Sequence, residues 1–260
     1  MYKIIALIDF KTKTDSIIQS AINLAGFGKW EIEICHLVEG PLDWEKLSRS
    51  TRDKYPESKR DLANVREKMD ELLREIRALG IKVSKRIVMC DKKVESKLPY
   101  SSKDIVLIDS SNVSELIHMS CNLIDHIPEN CPIFILSEVF DPIELNDLML
   151  TSTFKGGLKE ATSDILSLFI DKVDFHKHFL YINTKNKFEF TTVSVDKMKK
   201  LINDHCLGKT HISVFNAQNF IHGVKEFVEV KNCDLVLIEK FKMSDILSEY
   251  EINVPLFFIP

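Results

Sequence analysis

The sequence predicts an α/β protein made of two tandem copies of one βα domain. Three observations carry this. The run Asp104-Ile105-Val106-Leu107-Ile108-Asp109 recurs as Asp234-Leu235-Val236-Leu237-Ile238-Glu239, an acid, four aliphatics and an acid. The run Cys131-Pro132-Ile133-Phe134-Ile135-Leu136 is echoed by Val254-Pro255-Leu256-Phe257-Phe258-Ile259. Between these landmarks, short apolar runs alternate with helical stretches in the same order twice. Short runs of β-branched and aliphatic residues bounded by charges are the signal of strands buried on both faces, as in a parallel sheet. Strands alternating with helices imply right-handed crossovers with helices on both faces. Ligands of such sheets bind at the carboxyl ends of the strands, so the residues after Ile108 and Ile238 bear most on function.

In the first copy, Tyr2 to Ile8 reads as a strand. Lys11 to Ala25 has helical spacing at Ile17, Ile18, Ala21, Ile22 and Leu24, with Thr12 or Thr14 as N-cap and Gly26 as stop. Glu31 to Val38 is the second strand. The long polar connection Glu39 to Glu57 carries Trp44 and Leu47, which suggest that part of it packs down. Ser58 to Leu79 is the best helix, with a stripe of Leu62, Val65, Met69, Leu72, Ile76 and Leu79 and with Gly80 at the cap. A stripe of this kind within an α/β pattern belongs to a helix on a sheet rather than to a coiled coil. Ile81 to Met89 is the third strand, Lys92 to Ser102 a short helix broken by Pro99, Asp104 to Asp109 the fourth strand, and Val113 to Ile127 a weak helix before the fifth.

The order then restarts. Leu148 to Ser152, Phe179 to Ile182, His211 to Phe215, Leu235 to Ile238 and Leu256 to Ile259 are strands, and Leu158 to Ile170, Val195 to Cys206 and Phe220 to Val230 are helices. The joint falls at Asp141-Pro142-Ile143-Glu144. This sets a first domain over 1–140 and a shortened, degenerate second domain over 145–260.

The 260 residues are 45% hydrophobic and 28% charged, enough apolar material for two cores. A net charge of -4 gives no general attraction to nucleic acid or an anionic membrane. No apolar run approaches the roughly 20 residues of a membrane span. The first apolar run stops at Asp9 without the length or cleavage site of a signal peptide, so a cytoplasmic protein is expected. Six cysteines without a Cys-x-x-Cys pair are expected to be reduced and mostly buried.

Taken in order, these segments resemble the universal stress proteins in their tandem two-domain form. The matching residues are Lys3 to Phe10, Ile34 to Val38, Ser102 to Asp109 and Cys131 to Leu136, then Asn232 to Glu239 and Val254 to Pro260. The resemblance implies a Rossmann-like, adenine nucleotide alpha hydrolase-like fold with five parallel strands per domain. It also implies antiparallel pairing of the two last strands, here within one chain as a pseudo-dimer. An apolar final strand with no neighbour would be an aggregation hazard, so a partner is physically expected.

ATP-binding members of that family carry Gly, two residues, Gly, nine residues, Gly and Ser or Thr after the fourth strand. Glycines there let backbone N–H groups approach phosphate, which a Cβ would obstruct. Here Asp109 to Asn122 contains no glycine, and Asp109 and Glu115 add negative charge. Glu239 to Glu251 also lacks glycine, and Thr153 stands where the first copy has Asp9. ATP binding of the usual kind is therefore not expected in either half, and no cofactor is. The remaining pocket candidates are Asp9, Phe10, Cys90, Asp109 and Ser110. Asp9 could contact a ligand, but complementing the N-terminus of the following helix is the favoured role.

Other constellations are weaker. His118, Cys121, His126 and Cys131 are metal-ligand types without paired zinc spacing. His176 and His178 share a strand face with no acid or third ligand in the pattern. Ser152 with Gly156 and Gly157 only faintly resembles a pyrophosphatase loop. No nucleophile–base order supports catalysis. The expectation is a non-catalytic stress-response protein acting through an unknown protein partner or ligand, open to further oligomerisation. The alternative is a small-molecule or nucleotide sensor with a remodelled pocket in the first domain.

Overall fold

A computed structural model gives the architecture. It describes residues 2–10, 14–41, 44–90, 100–110, 127–128, 130–151, 169, 175–184, 190–204, 209–239 and 254–259. The chain divides into two compact units, Met1–Cys131 with Glu138–Phe140, and Pro132–Ser137 with Asp141–Pro260. Among the described residues no helix is long and apolar enough to cross a membrane.

Unit one holds β1 (Lys3–Ile8), β2 (Glu31–Glu39), β3 (Val83–Cys90) and β4 (Asp104–Asp109), all parallel, in the order β3-β2-β1-β4. β1 is flanked by a strand on each side, and Ile4, Ile5 and Ala6 are fully buried. The helix α1 (Thr14–Gly28) buries Ile17, Ile18, Ala21, Leu24 and Ala25 and packs on β1, β2 and β4. Gly26, the expected stop, lies within this helix. The turn comes later, at Lys29, which takes φ 56° and lets the Trp30 amide donate to the Ala25 carbonyl at 3.1 Å.

A single helical turn, α2 (Arg49–Arg52), is capped by Ser48, whose Oγ accepts from the Thr51 amide at 3.2 Å. Trp44 just before it is buried, as its place in the polar connection suggested. The helix α3 (Pro56–Ala78) begins on a proline, whose missing N–H costs nothing in a first turn. It buries Leu62, Val65, Met69, Leu73 and Ile76 and packs on β2 and β3. Burial contributes about 1.5–3 kcal/mol for each such side chain. The expected stripe ran through Leu72 and Leu79, but Leu72 is half-buried and Leu79 is 62% exposed. The physical reason is the period. A straight helix repeats every 3.6 residues and drifts off a strict heptad, moving the apolar side to Leu73 and ending it at Ile76. Gly80 then takes φ 78°, the left-handed conformation that ends helices.

The leading acid of the repeated strand has a structural job. Asp104 Oδ2 accepts from the Ser101 amide at 2.7 Å and from its hydroxyl at 2.9 Å. Residues 138–140 return to unit one. There the Phe140 amide donates to Ser20 Oγ at 2.8 Å, and Asn23 Nδ2 donates to the Phe140 carbonyl at 3.1 Å.

Unit two holds β5 (Ile133–Leu136), β6 (Asp147–Thr151), β7 (His176–Thr184), β8 (His211–Ala217), β9 (Leu235–Glu239) and β10 (Leu256–Ile259), in the order β5-β10-β9-β6-β7-β8. From β10 to β8 the strands run parallel. β5 runs antiparallel to β10, with Phe134 opposite Phe257 and their rings 5.0 Å apart. The expected pairing of the two last strands is present, and it draws Pro132–Ser137 into this unit. Both strands are buried at every residue.

The helix α4 (Thr191–Asp204) packs on β8, and α5 (Phe220–Lys231) on β7 and β8. Asn219 Oδ1 caps α5 by accepting from the His222 amide at 2.8 Å, and Asn232 ends it at φ 50°. Gly223 sets how closely α5 approaches. A Cβ there would stand 2.8 Å from Ile182 Cγ2 and 2.9 Å from Ala217 Cβ. Asp234 also accepts from amides, but at the start of the neighbouring strand rather than in its own turn: its Oδ2 accepts from the Asn146 and Asp147 amides at 2.8 and 2.9 Å. The helices expected over 92–102, 113–127 and 158–170 lie wholly or largely outside the described residues, although Phe169 is helical and buried.

Candidate functional site

The carboxyl edge of unit one gathers four of the five expected residues. β1 and β4 pair from Lys3–Asp104 to Ala6–Leu107. Two rungs further, Ile8 comes level with Asp109, so Asp9, Phe10, Asp109 and Ser110 lie at neighbouring strand ends. Cys90 also ends a strand on this edge, but β2 separates β3 from β1, and its side chain is outside the described part. Asp109 is fully buried, while Asp9, Phe10 and Ser110 are half-buried.

Phe10 is the unusual residue. Its φ is 59°, a left-handed conformation that costs a residue with a Cβ about 1–2 kcal/mol. Such strain persists only where the surroundings hold it, and it concentrates at functional sites. Two neighbours hold the ring. The His36 imidazole lies 5.2 Å away, and Lys68 Nζ of α3 stands 5.4 Å above the ring centroid, within cation–π range. His36 is itself buried and fixed, because its Nδ1–H donates to the Ile8 carbonyl at 2.7 Å. His36 and Lys68 escaped the sequence reading. His36 had a signal, a polar residue inside the aliphatic run Ile34 to Val38. Lys68 had none, since it is one of many charges on the outer side of α3.

The corresponding edge of unit two ends β9 on Glu239 and carries two buried neutral groups among the described residues. Thr151 ends β6, fully buried, with no hydrogen-bond partner for its Oγ1 among the described residues. Asn183 at the end of β7 is buried and donates from Nδ2 to Asn216 Oδ1 at 3.2 Å. Thr153, Ser152, Gly156 and Gly157 lie outside the described residues. So do His118, Cys121 and His126. Cys131 is buried, and its thiol donates to the Asp104 carbonyl at 3.0 Å.

A second polar cluster in unit one lies towards the amino ends of the strands. Glu33 on β2 is 4% exposed. It pairs with Arg86 Nε at 2.6 Å and Lys3 Nζ at 3.5 Å, and it accepts from the Tyr100 hydroxyl at 3.4 Å. The hydrogen bond to Glu33 holds Arg86 above its ordinary pKa. Burial drives the Tyr100 phenol well above its usual value, and the neighbouring Cys35 adds to this. Burial also pushes the Cys35 thiol up to about 11. These groups satisfy one another, which is how a buried charge is kept in a fold.

Chemically, the edge of unit one presents two carboxyl groups and a phenyl ring. Carboxylates repel phosphate oxygens, and among the described residues Lys68 is the cation that stands over this edge.

No sequence-family model matches the chain, and no curated protein does. Solved structures do match. A universal stress protein from Archaeoglobus fulgidus DSM 4304 is similar at 14% identity with a TM-score of 0.64, over 99% of this chain and 95% of that one. A provisionally assigned universal stress protein from Pseudomonas aeruginosa UCBPP-PA14 is similar at 9% identity and a TM-score of 0.57, over 100% of this chain and 93% of that one. A functionally unknown protein from Pseudomonas aeruginosa PAO1 is similar at 9% identity and a TM-score of 0.59, over 100% and 92%. With strands that alternate with helices twice and end in an antiparallel pair, the chain has the fold of the universal stress proteins.

Proposed function

We propose that this chain is a non-catalytic, cytoplasmic tandem universal stress protein that works through a protein partner or an unidentified ligand, without the family's ATP cradle. One observation carries the reading. β4 and β9 are kept in both halves, yet the stretches after them, Asp109 to Asn122 and Glu239 to Glu251, contain no glycine. Without glycine, every residue of those stretches carries a Cβ, which obstructs the approach of backbone amides to phosphate. The buried carboxyl of Asp109 at the strand end supports the same conclusion.

A thermal-shift series with ATP, ADP and AMP tests this. A ligand bound only to the native state stabilises it by RT ln(1 + [L]/Kd), about 2.7 kcal/mol at a hundredfold excess over Kd. The expected result is no change in Tm at millimolar nucleotide. A rise with any of the three overturns the reading.

A second reading has its own observation. The strained Phe10, held between His36 and Lys68, supports a remodelled small-molecule pocket in unit one. A stabilising hit from a metabolite panel that disappears in Lys68→Ala favours it over the first.

A further inference from the structure

The amino edge of unit two gathers side chains that the proposed function does not use. His176 and His178 fall on one face of β7, two residues apart. His211 opens β8 directly opposite His178. Its ring stacks on that of His178 at 5.4 Å and 22°, and it lies 6.3 Å from that of His176. His176 and His211 are exposed, whereas His178 is 7% exposed, with the Phe227 ring edge-on to it at 6.0 Å.

Asp147, at the start of β6, accepts from His178 Nε2 at 2.9 Å. A carboxylate only accepts, so the proton of the neutral imidazole sits on Nε2 and Nδ1 carries a bare lone pair. That Nδ1 is buried and, among the described residues, has no hydrogen-bond partner. A buried polar atom without a partner calls for an explanation. A carboxylate that fixes the tautomer and bares the other nitrogen is the arrangement found behind metal-binding imidazoles. Two histidines at i and i+2 on one strand, with a third on the next strand, can offer three imidazoles on one side of a sheet. Among the described residues no three such groups already surround a common point. The rings of His176 and His211 are exposed and can change rotamer, while His178 is held in place.

We propose that His178 Nδ1, with His176 and His211 turned towards it, binds one borderline transition-metal ion of the Zn2+, Cu2+ and Ni2+ class, and that Asp147 is the positioning residue behind His178. Three imidazoles are the protein donor set of an open zinc site. Imidazole nitrogen selects these ions over Mg2+ and Ca2+, which take oxygen ligands. The site lies at the amino ends of the strands, whereas nucleotide would bind at their carboxyl ends, so it stands or falls independently of nucleotide binding.

The test titrates Zn2+ and, separately, Cu2+ into the untagged, chelator-stripped full chain, by calorimetry and by electron paramagnetic resonance of the copper form. The expected result is one ion per chain, with nitrogen hyperfine coupling in the copper spectrum. His176→Asn and His211→Asn are exposed substitutions that leave the core intact, and each is expected to weaken binding at least about tenfold. Asp147→Asn is expected to weaken it about 10–100-fold without removing an ion ligand, with nitrogen coupling retained at saturating copper. Two results overturn the proposal: no stoichiometric binding at about 100 µM ion, or unchanged affinity in the His176→Asn/His211→Asn double variant.

Discussion

Glu33 and His178 occupy the same rung of the two units. Ile5 pairs with Glu33 and Met149 with His178, while Ile4 and Leu148 pair with Ile105 and Leu235 of the repeated strand. By the same register, Lys3 and Asp147 stand at equivalent positions on β1 and β6. In unit one the first strand supplies the cation and the second the acid. In unit two this is reversed, with Asp147 on the first strand and the imidazole on the second. The two rungs differ in how far they are satisfied. Among the described residues Glu33 has three polar partners, whereas His178 has one and a ring nitrogen with none. One fold can therefore hold a polar rung closed or open, and only the open one has capacity left for something else.

Opening the closed rung has the largest expected cost. Arg86→Met leaves the buried Glu33 carboxylate with only Lys3 and Tyr100. Stranding a buried charge outright costs about 3–5 kcal/mol; because Lys3 and Tyr100 remain and Arg86 is 41% exposed, the loss expected is that of one hydrogen bond to a charged group, about 2 kcal/mol. Urea unfolding monitored by circular dichroism checks it. A loss below about 1 kcal/mol, the range of an exposed ion pair, would show that the rung is not closed in this sense.

The matching substitution in unit two, Asp147→Asn, should cost less, about 1 kcal/mol in the same measurement. Asparagine can still accept from His178 Nε2, and the orphaned Nδ1 is unaffected. If both substitutions cost the same, saturation is not what distinguishes the two rungs.

The smallest contrast concerns a cysteine that each rung touches. Burial, with Glu33 also raising it, pushes Cys35 up to about 11, and burial together with Asp147 and Asp234 pushes Cys233 up to about 12. Both values lie above the ordinary thiol value of 9.0, so the unfolded chain releases these protons first. Their stabilising contribution is whole below pH 9 and is lost as the pH rises through about 11 and 12. Stability measured from pH 8 to 11 should fall along a smooth curve, and Cys35→Ala and Cys233→Ala should each flatten it by similar amounts. A curve unchanged by either substitution would remove the thiols from the account.

The central strands β1, β4, β5, β9 and β10 were legible because each is a short apolar run that reads the same wherever it lies. The pairing of β5 with β10 was legible because an apolar last strand needs a neighbour. The candidate edge was legible in part. Topology alone brings Asp9, Phe10, Asp109 and Ser110 to adjacent strand ends, and the same topology keeps Cys90 two strands from β1. The rest depended on contacts between distant residues. The acid that His176 and His178 lacked in the sequence pattern comes from Asp147, a strand away and 31 residues from His178. Lys68 reaches Phe10 only because α3 crosses above the edge. The strain at Phe10 is a backbone angle and leaves no mark in residue type.

The placement of β5 bears on dissecting the molecule. The chain leaves unit one after Cys131, supplies a strand to unit two, returns for residues 138–140 and then leaves again. No single cut yields two intact halves. A fragment beginning at Asp141 would carry β10 with its β5 side uncovered, a bare row of amides and carbonyls on the sequence Leu256-Phe257-Phe258-Ile259. Such a fragment would tend to aggregate through that edge. A soluble piece would need Pro132–Ser137 supplied as a separate peptide or joined by a new linker.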